Sequence, residues 1–144
     1  MTNVQKKVLT AYSPQQMFDL VSDIKRYPEF ISSCVEGEVL REFPESGALE
    51  ARLSFEKNQV KQSFTTRNTL TPGVKIQMDL VDGPFKVLNG CWTFETVKEG
   101  CLVGVNLDFE FSNMMYKMMF SAVFQKVIMD LLQAFKNRGD ELYG

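Results

Sequence analysis

The chain has 144 residues, 44% hydrophobic and 24% charged, with a formal charge of −2 and no histidine. Those proportions fit one globular domain over 1–144 with a sizeable core and exclude a disordered or fibrous chain. The charge gives no global footprint for DNA or anionic lipid, and without histidine there is no catalytic triad, histidine general base or histidine-bearing zinc site.

The segment Met1–Lys7 runs directly into β-like sequence. It shows no signal or transit pattern, and no apolar stretch long enough to span a bilayer is evident, so the expected compartment is the cytoplasm of a bacterium. Ser13-Pro14-Gln15-Gln16 is a helix start, with Ser13 as cap, Pro14 in the first turn and Gln16 closing a capping box. Met17, Leu20 and Val21 supply the apolar stripe, and Tyr27-Pro28 interrupts it, with a second short helix or turn around Arg26–Ile31.

From Cys34 to Phe111 the hydrophobic period becomes two. Leu49, Ala51, Leu53 and Phe55 alternate with polar residues, as do Val74, Ile76, Met78 and Leu80. Leu88, Trp92 and Phe94 share a face, and so do Val103, Val105, Leu107, Phe109 and Phe111. One buried and one wet face per strand means antiparallel pairing. Breaks are expected at Pro44–Gly47, Glu56–Asn58, Thr71–Gly73, Asp82–Pro84 and Lys98–Gly100, each short enough for a hairpin. Cys34, Cys91 and Cys101 have no C-x-x-C spacing and read as reduced thiols. Ser112-Asn113 opens a long helix to about Leu142, with Tyr116, Phe120, Val123, Phe124, Val127, Ile128, Leu131, Ala134 and Phe135 as its main stripe.

The order of strand, short helices, six strands and a long helix predicts a two-layer α+β domain, one curved antiparallel sheet of about seven strands closed by the C-terminal helix. A twisted sheet cannot follow a straight helix along its whole length, so a cavity is expected where they diverge.

Several groups bear on chemistry. Gln62, Thr66 and Asn68 share the inward phase of Val60–Leu70 with Phe64. Either they bond within the core or they orient the polar head of a ligand in an apolar pocket. Met114, Met115, Met118, Met119 and Ala122 form a second helical surface, which either packs in the core or lines a pocket mouth or a contact with a partner or membrane. Phe85, in the turn Asp82–Lys86, either folds under its hairpin or gates the cavity. Asp108 and Glu110, like Glu36 and Glu38, read as a solvated strand face and not as paired catalytic carboxylates. Lys57, Lys61 and Arg67 are either ordinary surface charge or a basic stripe on the outer sheet face that could contact ribosomal RNA.

Several segments together resemble the START-like coenzyme Q-binding and polyketide cyclase-like family. They are Met17–Ile24, Tyr27-Pro28-Glu29-Phe30, Phe64–Asn68, Leu80–Lys86, Gly90 with Trp92 and Phe94, Leu107–Phe111, and an ending with Phe135, Arg138 and Tyr143. The branch of bacterial ribosome association toxins matches best. Two departures stand out: Ser32 lies where a proline is common, and Gly139 where an alanine is common, which is expected to loosen the helix end. The resemblance implies a helix-grip fold with a tunnel for ubiquinone or another polyprenyl lipid, support of respiration, and no cofactor beyond that ligand. For the toxin branch it implies binding to the large ribosomal subunit that blocks subunit association. The residues expected to contact a ligand are Gln62, Phe64, Thr66, Asn68, Met78, Phe85, Trp92, Phe109, Met115, Met118, Phe120 and Val123. No catalytic or metal-binding residue is assigned, and a cyclase or dehydrase is the least supported reading.

Overall fold

A computed structural model describes residues 1–144. The elements are β1 (Thr2–Thr10), α1 (Pro14–Ser22), a 3₁₀ turn (Ile24–Arg26), α2 (Tyr27–Phe30), β2 (Cys34–Phe43), β3 (Ala48–Lys57), β4 (Val60–Thr71), β5 (Lys75–Asp82), β6 (Phe85–Val97), β7 (Gly100–Phe111) and α3 (Met114–Tyr143). All seven strands form one antiparallel sheet in the order β1-β7-β6-β5-β4-β3-β2. This is the expected α+β helix-grip arrangement, with a curved sheet wrapped around a long C-terminal helix.

Local chemistry sets the element ends. Ser13 Oγ accepts from Gln16 N at 3.1 Å while Gln16 Oε1 accepts from Ser13 N at 3.0 Å, the reciprocal capping box. Asn113 caps α3 by accepting from Tyr116 N at 2.8 Å. The hairpin between β3 and β4 turns at Asn58–Gln59, later than the predicted break. Both residues have positive φ, 54° and 66°, as a two-residue primed turn needs, without the glycine that normally marks one. Register shifts in β2, between β4 and β5, and at the start of β6 bend the sheet. At Gly90 a Cβ would overlap the Asn106 carbonyl oxygen, so only glycine lets β6 lie this close to β7.

Two expectations need correction. On length and composition α3 is apolar enough to cross a membrane, contrary to the sequence reading. Here its stripe of Phe120, Phe124, Val127, Ile128, Leu131 and Phe135 is buried against the sheet, with Leu132 buried on its flank. Gly139, in turn, does not loosen the helix, which runs on to Tyr143. Gly139 is buried, and a Cβ there would sit 3.0 Å from the Tyr12 ring and 3.2 Å from Met17 Sδ. Its missing side chain lets α3 close against Tyr12 and α1.

Two aromatic clusters hold α3. At its N-terminal half Phe124 meets Phe109 at 4.8 Å and Phe85 at 5.1 Å between ring centroids, and Phe85 stacks on Phe111 at 4.7 Å. At its C-terminal half Phe135, fully buried, meets Trp92 at 5.3 Å and Tyr27 at 5.4 Å.

Burial pushes the Cys34 and Cys101 thiols up to about 11 and raises Tyr27 as well. The unfolded chain sheds the thiol protons near pH 9, so between about pH 9 and about pH 11 it binds fewer protons than the folded chain and stability falls as pH rises. The urea midpoint is therefore expected to decline across that window, and to decline less in the Cys34→Ala/Cys101→Ala variant. A midpoint that rises there contradicts this.

Candidate functional site

Between the two aromatic clusters the sheet leaves the helix. The cavity there is lined by α3 (Phe124, Ile128, Leu131), by α1 and the segment after it (Val21, Ser22, Ile24, Tyr27), and by the inward faces of β3 to β7. Its enclosed volume is about 50 Å³, set in about 730 Å³ of atom-free space that is partly continuous with solvent. The enclosed space exceeds the roughly 10–15 Å³ that one water needs and is far below a drug-sized ligand, so a larger guest has to displace side chains. A second cavity of about 30 Å³ lies beside it, under the N-terminal half of α3 and the β3–β4 hairpin. Phe55, Phe64 and Phe124 border both. Phe64, half-buried, stacks on Phe55 at 5.9 Å and meets Phe124 edge-on at 6.0 Å, so these rings form the partition.

Of the 20 residues lining the main cavity, 17 are hydrophobic and none is charged; the polar ones are Ser22, Thr66 and Asn68. Ser22 Oγ donates to the Asp19 carbonyl at 3.3 Å and is spent locally. Thr66 Oγ1 donates to Asn68 Oδ1 at 2.7 Å, with both residues buried on β4. Asn68 Nδ2 donates to no protein atom, so the cavity wall holds an amide donor pre-oriented by Thr66. Tyr27 is the one oxygen acid in the lining, and its hydroxyl donates to the buried Val21 carbonyl. Burial, first of all, raises its pKa far above the ordinary phenol value.

The other sequence-derived candidates fall as follows. Phe64, Thr66, Asn68, Met78 and Trp92 line the main cavity. Gln62, Phe85, Phe120 and Val123 line the side cavity, with Gln62 Oε1 taken by Ser63 N at 3.2 Å. Phe85 is thus folded under its hairpin and forms part of a cavity wall. Phe109 is 1% exposed and packs between Phe85, Phe111 and Phe124 without reaching either cavity. Met115 and Met118 are 67% and 81% exposed and face away from the interior, because Tyr116, Phe120 and Phe124 take the inward side of α3.

Of the three basic candidates, only Lys61 and Arg67 stay on the outer sheet face. Lys57 shares strand parity with Leu53 and Phe55, so it points to the helix side and pairs with Asp130 at 3.1 Å. Lys61 lies opposite Glu56, and Arg67 lies between Glu50 and Asp79 with its guanidinium 4.2 Å above the Phe43 ring. Glu36 and Glu38 clamp Arg52 at 3.2 and 2.7 Å, so the outer face alternates in sign.

Sequence reasoning missed the contributions of Val21, Ser22, Ile24 and Tyr27, which close the cavity from the helical side. The signals there were the apolar stripe ending at Tyr27-Pro28 and the family-like segments Met17–Ile24 and Tyr27–Phe30.

Residues 10–136 match a family model described as polyketide cyclase / dehydrase and lipid transport. A relative from Vibrio cholerae named ribosome association toxin RatA is 40% identical, the match covering 100% of this chain and 99% of that protein. The mitochondrial coenzyme Q-binding protein COQ10 homolog B of Xenopus laevis is 26% identical over 97% of this chain and 58% of its own length. A START superfamily protein from Mycobacterium smegmatis superposes with a TM-score of 0.81 at 21% identity, covering 97% of this chain and 98% of that one. The chain belongs to the polyketide cyclase / dehydrase and lipid transport family.

Proposed function

We propose that this protein binds a hydrophobic ligand, ubiquinone or another polyprenyl lipid, in the cavity between sheet and helix and does not transform it. The observation that carries the reading is the uncharged cavity with one free amide donor, Asn68 Nδ2, in its wall. A quinone carbonyl is a matching acceptor, and an isoprenoid tail gains about 25 cal/mol for each Å² of apolar surface it buries. The half-buried Phe64, Leu53 and Met78 are the side chains free to give way as the tail enters. The name of the Xenopus relative agrees with this cargo. General acid–base catalysis needs a titratable group poised near working pH, and a cavity whose oxygen acid is the raised Tyr27 phenol favours binding over chemistry. We infer that the protein works in the bacterial cytoplasm in support of respiration.

Protein purified from cells, extracted with organic solvent and analysed by mass spectrometry is expected to release an isoprenoid quinone. Asn68→Leu is expected to weaken quinone binding by about ten-fold, the effect of one buried hydrogen bond, and Leu53→Trp to abolish it by filling the cavity. Retention of quinone by folded Leu53→Trp at the wild-type level would sink the assignment.

The full-length relationship to a ribosome association toxin supports a second role on another surface, association with the large ribosomal subunit. Lys61 and Arg67, on the outer sheet face, are the candidates for phosphate contact. Lys61→Glu with Arg67→Glu is expected to reduce cosedimentation with the large subunit and leave quinone binding intact. Undiminished association at moderate salt would remove these two residues from the interface.

A further inference from the structure

The N-terminal half of α3 is apolar on the side facing away from the core. Met114, Met115, Met118, Met119 and Met129 are 66%, 67%, 81%, 53% and 39% exposed, and Ala122 is exposed among them. At 100° per residue they occupy one face, interrupted only by Gln125 and Lys126. The second half of the same helix carries Gln133, Asn137, Asp140 and Glu141 outward, as an ordinary core helix does. An apolar patch of this kind, confined to one segment, marks a contact surface.

Charge separates the occupants. From Phe111 to Met129 the chain has two lysines, Lys117 and Lys126, and no aspartate or glutamate, a local balance of +2 within a chain of −2. Lys126 pairs with Asp130, whereas Lys117 forms no ion pair. Lys117 and Met114 line one surface hollow beside the N-terminus of α3, whose free backbone N–H groups add positive potential; Lys86 and Glu110 in the same hollow lie 3.9 Å apart and offset one another, which leaves Lys117 as its unpaired side-chain charge. A second copy seated on this face would bring two unpaired Lys117 charges to one interface with no acid from Phe111–Met129 to offset them. An anionic bilayer surface complements both the methionines and the lysines. The patch also adjoins the interior, because Phe120 and Val123 of the same helical segment line the side cavity, which the Phe55–Phe64–Phe124 partition separates from the main one.

We propose that the outward face of Met114–Met129 docks on anionic phospholipid membrane and places the side cavity next to the bilayer. The proposal takes its purpose from the lipid-binding reading, yet its test needs no cargo. Protein is floated with quinone-free vesicles of phosphatidylcholine alone, or of phosphatidylcholine and phosphatidylglycerol in equal parts. Wild type is expected to float with the anionic vesicles and to be released by salt. Met115→Ser/Met118→Ser should lower the partition coefficient at least about ten-fold, and Lys117→Glu should lower it on anionic vesicles only. Both sites are so exposed that folding, checked by thermal melting, is expected to be unchanged. Wild type that stays unbound to anionic vesicles overturns the proposal, whatever quinone extraction shows. So does a double variant that floats like wild type, or a dimer in sedimentation that the double variant splits while vesicle binding is absent.

Discussion

The cavity lies where α3 runs between two aromatic anchors. Phe124, against Phe85 and Phe109, fixes the N-terminal half, and Phe135, against Trp92 and Tyr27, fixes the C-terminal half. Aromatic rings of this size set the spacing between the layers. The bulged, twisted sheet curves away between the two anchors, and the side chains of β3 to β5 on that face leave part of the gap unfilled. Dense packing at the anchors and loose packing between them is a division of labour: stability comes from one, adaptability from the other.

The same arrangement constrains chemistry. A site without fixed charge in its wall can hold an apolar guest and orient it through one amide, but it has little with which to move a proton. The family includes members described by cyclase and dehydrase activity as well as lipid transport. Within such a shell the difference between holding and transforming a ligand rests on a few inward positions of the strands. Here those positions carry Thr66 and Asn68, already bonded to one another.

Much of this was legible beforehand, for a physical reason. Strands with one wet face print their period directly, so β3, β4 and β7 and the inward phase of Phe64, Thr66 and Asn68 could be read from alternation alone. The methionines could not. The first half of α3 is apolar nearly all round, broken by Lys117 and Ser121, and periodicity cannot choose among several apolar faces; only the position of the sheet decides it. Lys57 was assigned to the wrong side although its parity with Leu53 and Phe55 already pointed inward. Arg67 looked like part of a basic stripe because its flanking acids, Glu50 and Asp79, are neighbours only in register, which depends on turn positions. The β3–β4 turn in turn was misplaced because Asn58 and Gln59 adopt positive φ without a glycine to announce it. The helical wall from Val21 to Tyr27 showed an apolar stripe, which core packing alone would explain, and family-like segments that name no lining residue.

Trp92 is the chain's one tryptophan, 5% exposed and part of the cavity wall, so its emission reports directly on that space. Titrating the emptied protein with a short-chain ubiquinone should quench that emission saturably at one site per chain. Quenching that only grows in proportion to quinone, at the rate seen for the unfolded chain, would mean that the gap between sheet and helix admits no ligand.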